Sequence, residues 1–251
     1  MTSELRAKTE VLWEGLGNPF LEERVPQRPL RKNPSPFDSF MPDFSLEEGL
    51  HRRGFPLVAG VDEAGRGPLA GPVVAAAVIL PPGLLTSEPW LELLDDSKRL
   101  SPAQRETVVG LVERHALAVG VAQVGPEEID RMGIGPANLQ AMLQAVANLP
   151  VQPSYLLLDY VPLRECSFPF EPVVRGDQLS YSIAAASNVA KVTRDRMMRQ
   201  ADALYPGYFF ASNKGYPTAV HLAQLRERGP CSIHRRSFAP VREAVELLGG
   251  K

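Results

Sequence analysis

The chain has 251 residues, 44% of them hydrophobic and 22% charged, and a net charge of −2. That suits one globular domain of ordinary core size with residues to spare, and the lack of any run of ~18 apolar residues argues against a membrane span. The polar, mixed-charge Met1–Glu10 has no apolar signal-peptide core behind it, and Cys166 and Cys231 match no metal or redox spacing, so reduced thiols in a cytoplasmic protein are expected.

The charge is unevenly spread. Residues 56–185 hold 8 basic and 15 acidic groups, so −7, whereas residues 186–251 hold 11 and 5, so +6. An acidic centre beside a basic C-terminal end is what a metal site next to a phosphate-binding surface produces, although two unrelated solvated faces produce it too.

In chain order, residues 1–43 read as a flexible extension: a short helix from Leu5 to Leu16, then six prolines that leave no periodic apolar pattern. Residues 44–251 form the main domain. Ser45 to Arg53 predicts a helix with Ser45 as N-cap and Glu48 three places on, ended by Gly54. Leu57–Asp62 and Val73–Leu80 predict a hairpin-like pair of strands. Ser101-Pro102 caps and starts a helix to His115, and Ala116–Val124 is a third strand, antiparallel to the others because no long crossover separates them. A short helix opens at Pro126, is broken by Gly133 and Gly135, and gives way to a longer one from Pro136 to Leu149. Strands at Tyr155–Leu158 and Glu171–Val174 end in Asp159 and in Arg175-Gly176-Asp177; helices before and between them imply parallel pairing. Leu179–Leu204 is a long helix whose small residues, Ser182 to Ser187, suit close packing on the sheet. A loop at Asn213–Pro217, a helix from Thr218 to Arg228, a basic loop at Ile233–Phe238 and a last helix from Pro240 complete the chain.

The densest chemistry lies between the first two strands. Asp62 and Glu63 stand side by side at a strand end, and neighbouring strand residues face opposite ways, so both reach one site only if the chain turns there. Gly65, Gly67 and Gly71 supply a turn and let a phosphate or sugar approach the backbone closely. With Asp159 and Asp177, four carboxylates stand at strand ends, where sites of α/β sheets gather. Such a group stays ionised only with cations between its members, and hard oxygen ligands call for Mg²⁺ or Mn²⁺. Asp95, Asp96, Asp195 and Asp202 compete as ligands but read as structural acids, Asp195 through i, i+4 pairing with Lys191 or Arg199.

Asp-Glu-Ala-Gly-Arg-Gly-Pro-Leu-Ala-Gly-Pro-Val, from Asp62 to Val73, closely resembles the first motif of ribonuclease HII, the type 2 ribonuclease H of bacteria. The likeness runs from about Gly60 to Val241. It implies an α/β fold: a ribonuclease H-like mixed five-stranded sheet flanked by helices, with a C-terminal helical segment. It implies that Asp62, Glu63, Asp159 and Asp177 coordinate two divalent ions, Mn²⁺ or Mg²⁺. Gly65, Arg66 and Gly67 would read the ribonucleotide at an RNA–DNA junction, and Tyr216, in Lys-Gly-Tyr, would meet the deoxyribose that follows. Lys98, Ser187 and Lys191 match family positions near the nucleic-acid backbone. The implied activity is cleavage of the RNA strand of RNA–DNA hybrids, and cleavage 5′ of single ribonucleotides in duplex DNA, by a monomeric cytoplasmic enzyme. It would serve ribonucleotide excision and RNA primer removal. One residue departs from the pattern: Tyr160 follows Asp159 where the family usually has Gly, and its side chain is expected to crowd the turn. Lys214, Arg235 and Arg236 are expected as phosphate contacts or solvated charges, and His234 in a structural or phosphate-side role. Two rivals remain: the sister type ribonuclease HIII, which generally has Lys in place of Arg66 and a folded N-terminal platform, and a catalytically silent nucleic-acid-binding protein on the same fold.

Overall fold

A computed structural model of the protein describes residues 41–84, 88–95, 97–160 and 166–249. The expected helix from Leu5 to Leu16, the proline-rich stretch before residue 41 and Asp96 lie outside the described residues.

Five strands form one sheet: β1 (Val58–Ala64), β2 (Val73–Ile79), β3 (Ala118–Val124), β4 (Tyr155–Asp159) and β5 (Phe170–Val173), in the order β3-β2-β1-β4-β5. β1, β2 and β3 pair antiparallel, while β4 and β5 pair parallel to β1 and to each other. This is the mixed sheet the sequence predicts. The helices are α1 (Ser45–Arg52), α2 (Pro102–His115), α3 (Pro126–Met132), α4 (Ile134–Ala147), α5 (Tyr181–Leu204), α6 (Phe210–Asn213), α7 (Ala219–Arg228) and α8 (Ala239–Gly249). α3 and α4 make the crossover between β3 and β4; no helix is found among the described residues between β4 and β5.

Boundaries moved where caps compete. Phe44, not Ser45, is the N-cap of α1, and Asp43 supplies the capping carboxylate, its Oδ1 accepting from the Ser45 N–H at 2.7 Å. Asp43 also bridges to Ser180, so the folded domain already includes it. α4 starts at Ile134 because Gly133, at φ +84°, ends α3 and lets the next helix begin at once; Pro136 fits in the first turn, where its missing N–H costs nothing. Ser101 and Thr218 cap α2 and α7 as predicted, accepting from Gln104 N and His221 N.

Two layers of helix sandwich the sheet. α5 lies so close to β1 that a Cβ on Gly60 would stand 2.1 Å from the Ser182 carbonyl carbon. On the other face a Cβ on Gly120 would meet the Ala145 oxygen at 2.2 Å. Val78 and Ala76 of β2 pack with Ala184, Ala185 and Ala186 of α5 on one side; Val61 and Ala77 pack with Ala137 and Ala141 of α4 on the other. Alternation along β1 therefore gives Asp62 the face of α5 and Glu63 the face of α4.

Candidate active site

β1 runs straight through Asp62 and Glu63 to Ala64, pairing them with Ala76 and Ala75, so the turn expected at Asp62 comes two residues later. The consequence is a group of three carboxylates. Oxygens of Asp62, Asp159 and Asp177 lie within 4.8 Å of one another. Asp62 comes from β1, Asp159 from the adjacent end of β4, and Asp177 from the turn after β5. That turn is tied back to β4, since Gly176 N–H donates to Asp159 Oδ1 at 2.8 Å.

Asp62 and Asp177 are buried. Burial, with the neighbouring charges of Glu63 and Asp159, holds the Asp62 carboxyl well above the usual carboxylate range. Ser187 of α5 and the Glu63 N–H, 2.7 Å from Asp62 Oδ1, oppose that shift. Glu63 lies outside the group of three. Burial raises its carboxyl too, against the pull of Arg66, whose Nη1 is 3.3 Å from Glu63 Oε1, and of Asn138 from α4. Lys98 Nζ donates to Asp177 Oδ2 at 2.9 Å. The donor set is all hard oxygen, with more negative charge in one place than Lys98 and Arg66 offset, and it fits Mg²⁺ or Mn²⁺.

The other expected residues fall into two classes. Arg66 and Gly67 are exposed, and a Cβ on Gly67 would stand 3.6 Å from Tyr216 Cε1, so the glycine-rich loop and the half-exposed Tyr216 share one surface. Gly65 (φ +99°) and Gly71 (φ +82°) bend that loop, and a Cβ on Gly65 would stand 2.1 Å from Arg194 Nε. Ser187 is different: it is buried, 2.9 Å from Ser97 Oγ, and reaches Asp62 rather than the surface. Lys191 is held by Asp195 at 2.6 Å, the i, i+4 pair expected, while Arg199 pairs with Glu106 instead. Asp95, Asp195 and Asp202 lie outside the carboxylate group.

Tyr160 corrects an expectation. Its side chain is 67% exposed and does not crowd Asp159; the strain is in the backbone, at φ +59°. A left-handed position explains why glycine suits this place. The basic loop also corrects one. Arg235 is neither solvated nor free for phosphate: it is fully buried, donating to the carbonyls of Gly71, Arg66 and Gly65 at 2.9, 3.0 and 2.6 Å. Arg194 does the same for Pro72, Lys214 and Ala70 at 2.9, 3.0 and 3.0 Å. Arg236 is exposed. His234 is structural, buried against His221. Sequence reasoning passed over Arg194, Asn138 and His221; a buried arginine on a helix reads as a surface charge until its carbonyl partners are known.

Comparison with known proteins agrees with this geometry. The family model for ribonuclease HII matches residues 59–241. A ribonuclease HII of Geobacter metallireducens is 52% identical over 202 residues, 80% of this chain and 92% of the relative. One of Dehalococcoides mccartyi is 49% identical over 207 residues, 82% and 97% of the two chains. The crystal structure of a ribonuclease H2 from Pyrococcus horikoshii superposes with a TM-score of 0.68 at 26% identity, covering 78% of this chain and all of the other. The match to ribonuclease HII along most of the chain sets aside the sister-type reading, and with it the catalytically silent one. This chain belongs to the ribonuclease HII family of ribonuclease H hydrolases, which cleave the RNA of RNA–DNA hybrids.

Proposed function

We propose that the enzyme cuts the RNA strand of hybrids and also cuts 5′ of a single ribonucleotide embedded in duplex DNA, with two divalent cations held by Asp62, Asp159 and Asp177 and by Glu63, which stands outside that group on Arg66 and would turn from it to reach a cation. The observation that carries this is the three-aspartate group, with Asp62 and Asp177 buried, beside a loop open to substrate. When bound, the cations supply positive charge for the attacking and leaving oxygens of a phosphodiester. The chain supplies the rest. Gly176 N–H orients Asp159, Ser187 and the Glu63 N–H orient Asp62, and Lys98 steadies Asp177. Arg235 holds the carbonyls of Gly65 and Arg66 inward, which leaves their N–H groups and the Arg66 guanidinium to meet the ribose 2′-OH and its phosphate. Tyr216, against Gly67, stacks on the deoxyribose that follows. A water attacks phosphorus as the 3′-oxygen leaves, giving 3′-hydroxyl and 5′-phosphate ends. Lys98 and Lys191 lie beside the phosphates as long-range positive charge rather than sequence readers; Ser187 acts through Asp62.

The test is cleavage of a labelled DNA duplex carrying one ribonucleotide, alongside an all-RNA/DNA hybrid, with Mg²⁺ or Mn²⁺ and with EDTA. The expected result is a single metal-dependent cut 5′ to the ribonucleotide, lost in Asp62→Asn. Cutting of the hybrid alone would overturn the junction reading. Activity that survives in both EDTA and Asp62→Asn would overturn the metal assignment.

A further inference from the structure

His221 and His234 are both buried, stand outside the carboxylate group, and are joined Nε2 to Nε2 at 3.0 Å. Their protons can be placed by following the partners. His234 Nδ1 lies 3.0 Å from the Cys231 backbone N and 3.1 Å from its Sγ. A backbone N–H only donates, so His234 Nδ1 accepts and its proton sits on Nε2. That N–H donates to His221 Nε2, which puts the His221 proton on Nδ1, where the Tyr216 carbonyl accepts at 2.8 Å. A carbonyl only accepts, so the same assignment follows from the other end. The chain runs Cys231 N–H to His234, His234 to His221, His221 to Tyr216 O, with both rings neutral and in opposite tautomers.

The surroundings keep them so. Tyr208 and Phe210 pack against both rings. The titratable groups facing the pair are the Cys231 thiol, kept protonated by burial, and the Tyr208 hydroxyl, which donates to Gly229 O at 2.7 Å. His234 uses opposite nitrogens for Cys231 and His221, so the three side chains do not converge on one metal ion.

One end of this chain lies on Tyr216, and the other on a segment that holds the glycine-rich loop. The Tyr216 carbonyl also accepts from Thr218 N–H at 2.8 Å. Around His234, the Gly71 N–H donates to Ile233 O at 2.9 Å and the Arg235 N–H to Leu69 O at 2.8 Å. Residues 231–235 thus pin the far end of the glycine-rich loop. The histidine pair is the side-chain link from that segment to the backbone of Tyr216.

We propose that His221 and His234 are positioning residues for substrate choice: their neutral tautomeric chain sets the place of Tyr216 opposite Gly65–Gly67. This rests on the reading of Tyr216 as a deoxyribose contact. Two variants separate position from folding: His221→Phe, which keeps a ring but no donor, and His221→Asn, whose amide N–H takes the place of Nδ1–H. ¹⁵N NMR of the imidazoles in the unsubstituted protein should show His221 protonated on Nδ1 and His234 on Nε2; the reverse pair, or a charged ring at pH 7, would overturn the proposal. Cleavage of the one-ribonucleotide duplex should fall about tenfold in His221→Phe, the value of one lost hydrogen bond, chiefly through KM, and recover in His221→Asn. In a Tyr216→Ala background, His221→Phe should add less than about twofold. Equal losses in the Phe and Asn variants, or full additivity with Tyr216→Ala, would sink it. The amide of Tyr216 gives a readout free of substrate: its hydrogen exchange should quicken in His221→Phe and not in His221→Asn. Unchanged cleavage in Tyr216→Ala, with the tautomers and exchange as expected, would fault the role given to Tyr216 and leave the positioning chain standing.

Discussion

The carboxylate group and the arginine-braced loop both grow from the end of β1 and use buried charge in opposite ways. Asp62, Asp159 and Asp177 bring like charges together, and the cost shows in the raised carboxyl of Asp62. Arg194 and Arg235 are at least as deeply buried, yet each guanidinium meets three backbone carbonyls. Burial lowers them only to about 10 and about 9, so both stay charged at neutral pH. The difference teaches what each region is for. Like charges gathered at one point favour a cation between them; a buried charge ringed by carbonyls is a way of holding backbone.

The largest effect should come from breaking the first region. Asp62→Asn should lower cleavage by roughly 10³-fold or more, on the order of 4 kcal/mol of barrier, while the metal-free protein becomes more stable. The sign follows from the raised carboxyl: stability is fullest where the folded group is protonated and is lost as pH rises through its folded value, so a neutral amide removes that loss. Thermal melts with EDTA should show the variant above the parent. Mg²⁺ or Mn²⁺ should then raise only the parent, by about 2.7 kcal/mol at a hundredfold excess over Kd. A variant that melts lower than the parent in EDTA contradicts the comparison.

Breaking the second region should cost stability instead. Arg235→Met leaves the carbonyls of Gly65, Arg66 and Gly71 buried without that donor. Roughly 3–5 kcal/mol should be lost, lowering Tm by about 10 °C; a change below about 1 kcal/mol would show that the loop does not depend on it.

The histidine pair sharpens the contrast through pH. Burial, then the neighbouring His221, holds His234 at about 4, and burial lowers His221 as well. Below pH ~6.5 the unfolded chain takes a proton that the folded ring refuses. The contribution is therefore complete above ~6.5 and falls away as pH drops toward 4, by roughly 3 kcal/mol for His234. Urea midpoints between pH 7 and 4.5 should drop more steeply in the parent than in His234→Gln; equal slopes would place the proton elsewhere.

The smallest effect concerns Tyr160. Its positive φ costs about 1–2 kcal/mol against glycine, and glycine returns about 0.5–1 kcal/mol to the unfolded chain. Tyr160→Gly should thus raise Tm by no more than about 6 °C. A lowered Tm would mean that the exposed ring holds something in place.

Much of this was legible from residue order. The alternation of β1, the small residues of α5, the Ser101 and Thr218 caps and the Lys191–Asp195 pair all depend on neighbours within a few positions, and all were read correctly. What misled was any side chain whose partner is distant. Arg235 reads as a basic loop residue until the carbonyls of residues 65–71, about 165 positions away, close around it. Ser187 reads as a surface contact until α5 meets the sheet at Gly60 and turns it onto Asp62.

The sequence by itself determined most of the elements and, through its first motif, the family, because periodicity, capping and motif spacing are local. Tertiary structure alone decided that three aspartates, not four carboxylates, crowd together here. Pleating puts Asp62 and Glu63 on opposite faces of an uninterrupted strand. It alone decided that two arginines and two histidines serve the backbone rather than the substrate, since burial and hydrogen-bond partners exist only after distant segments have met.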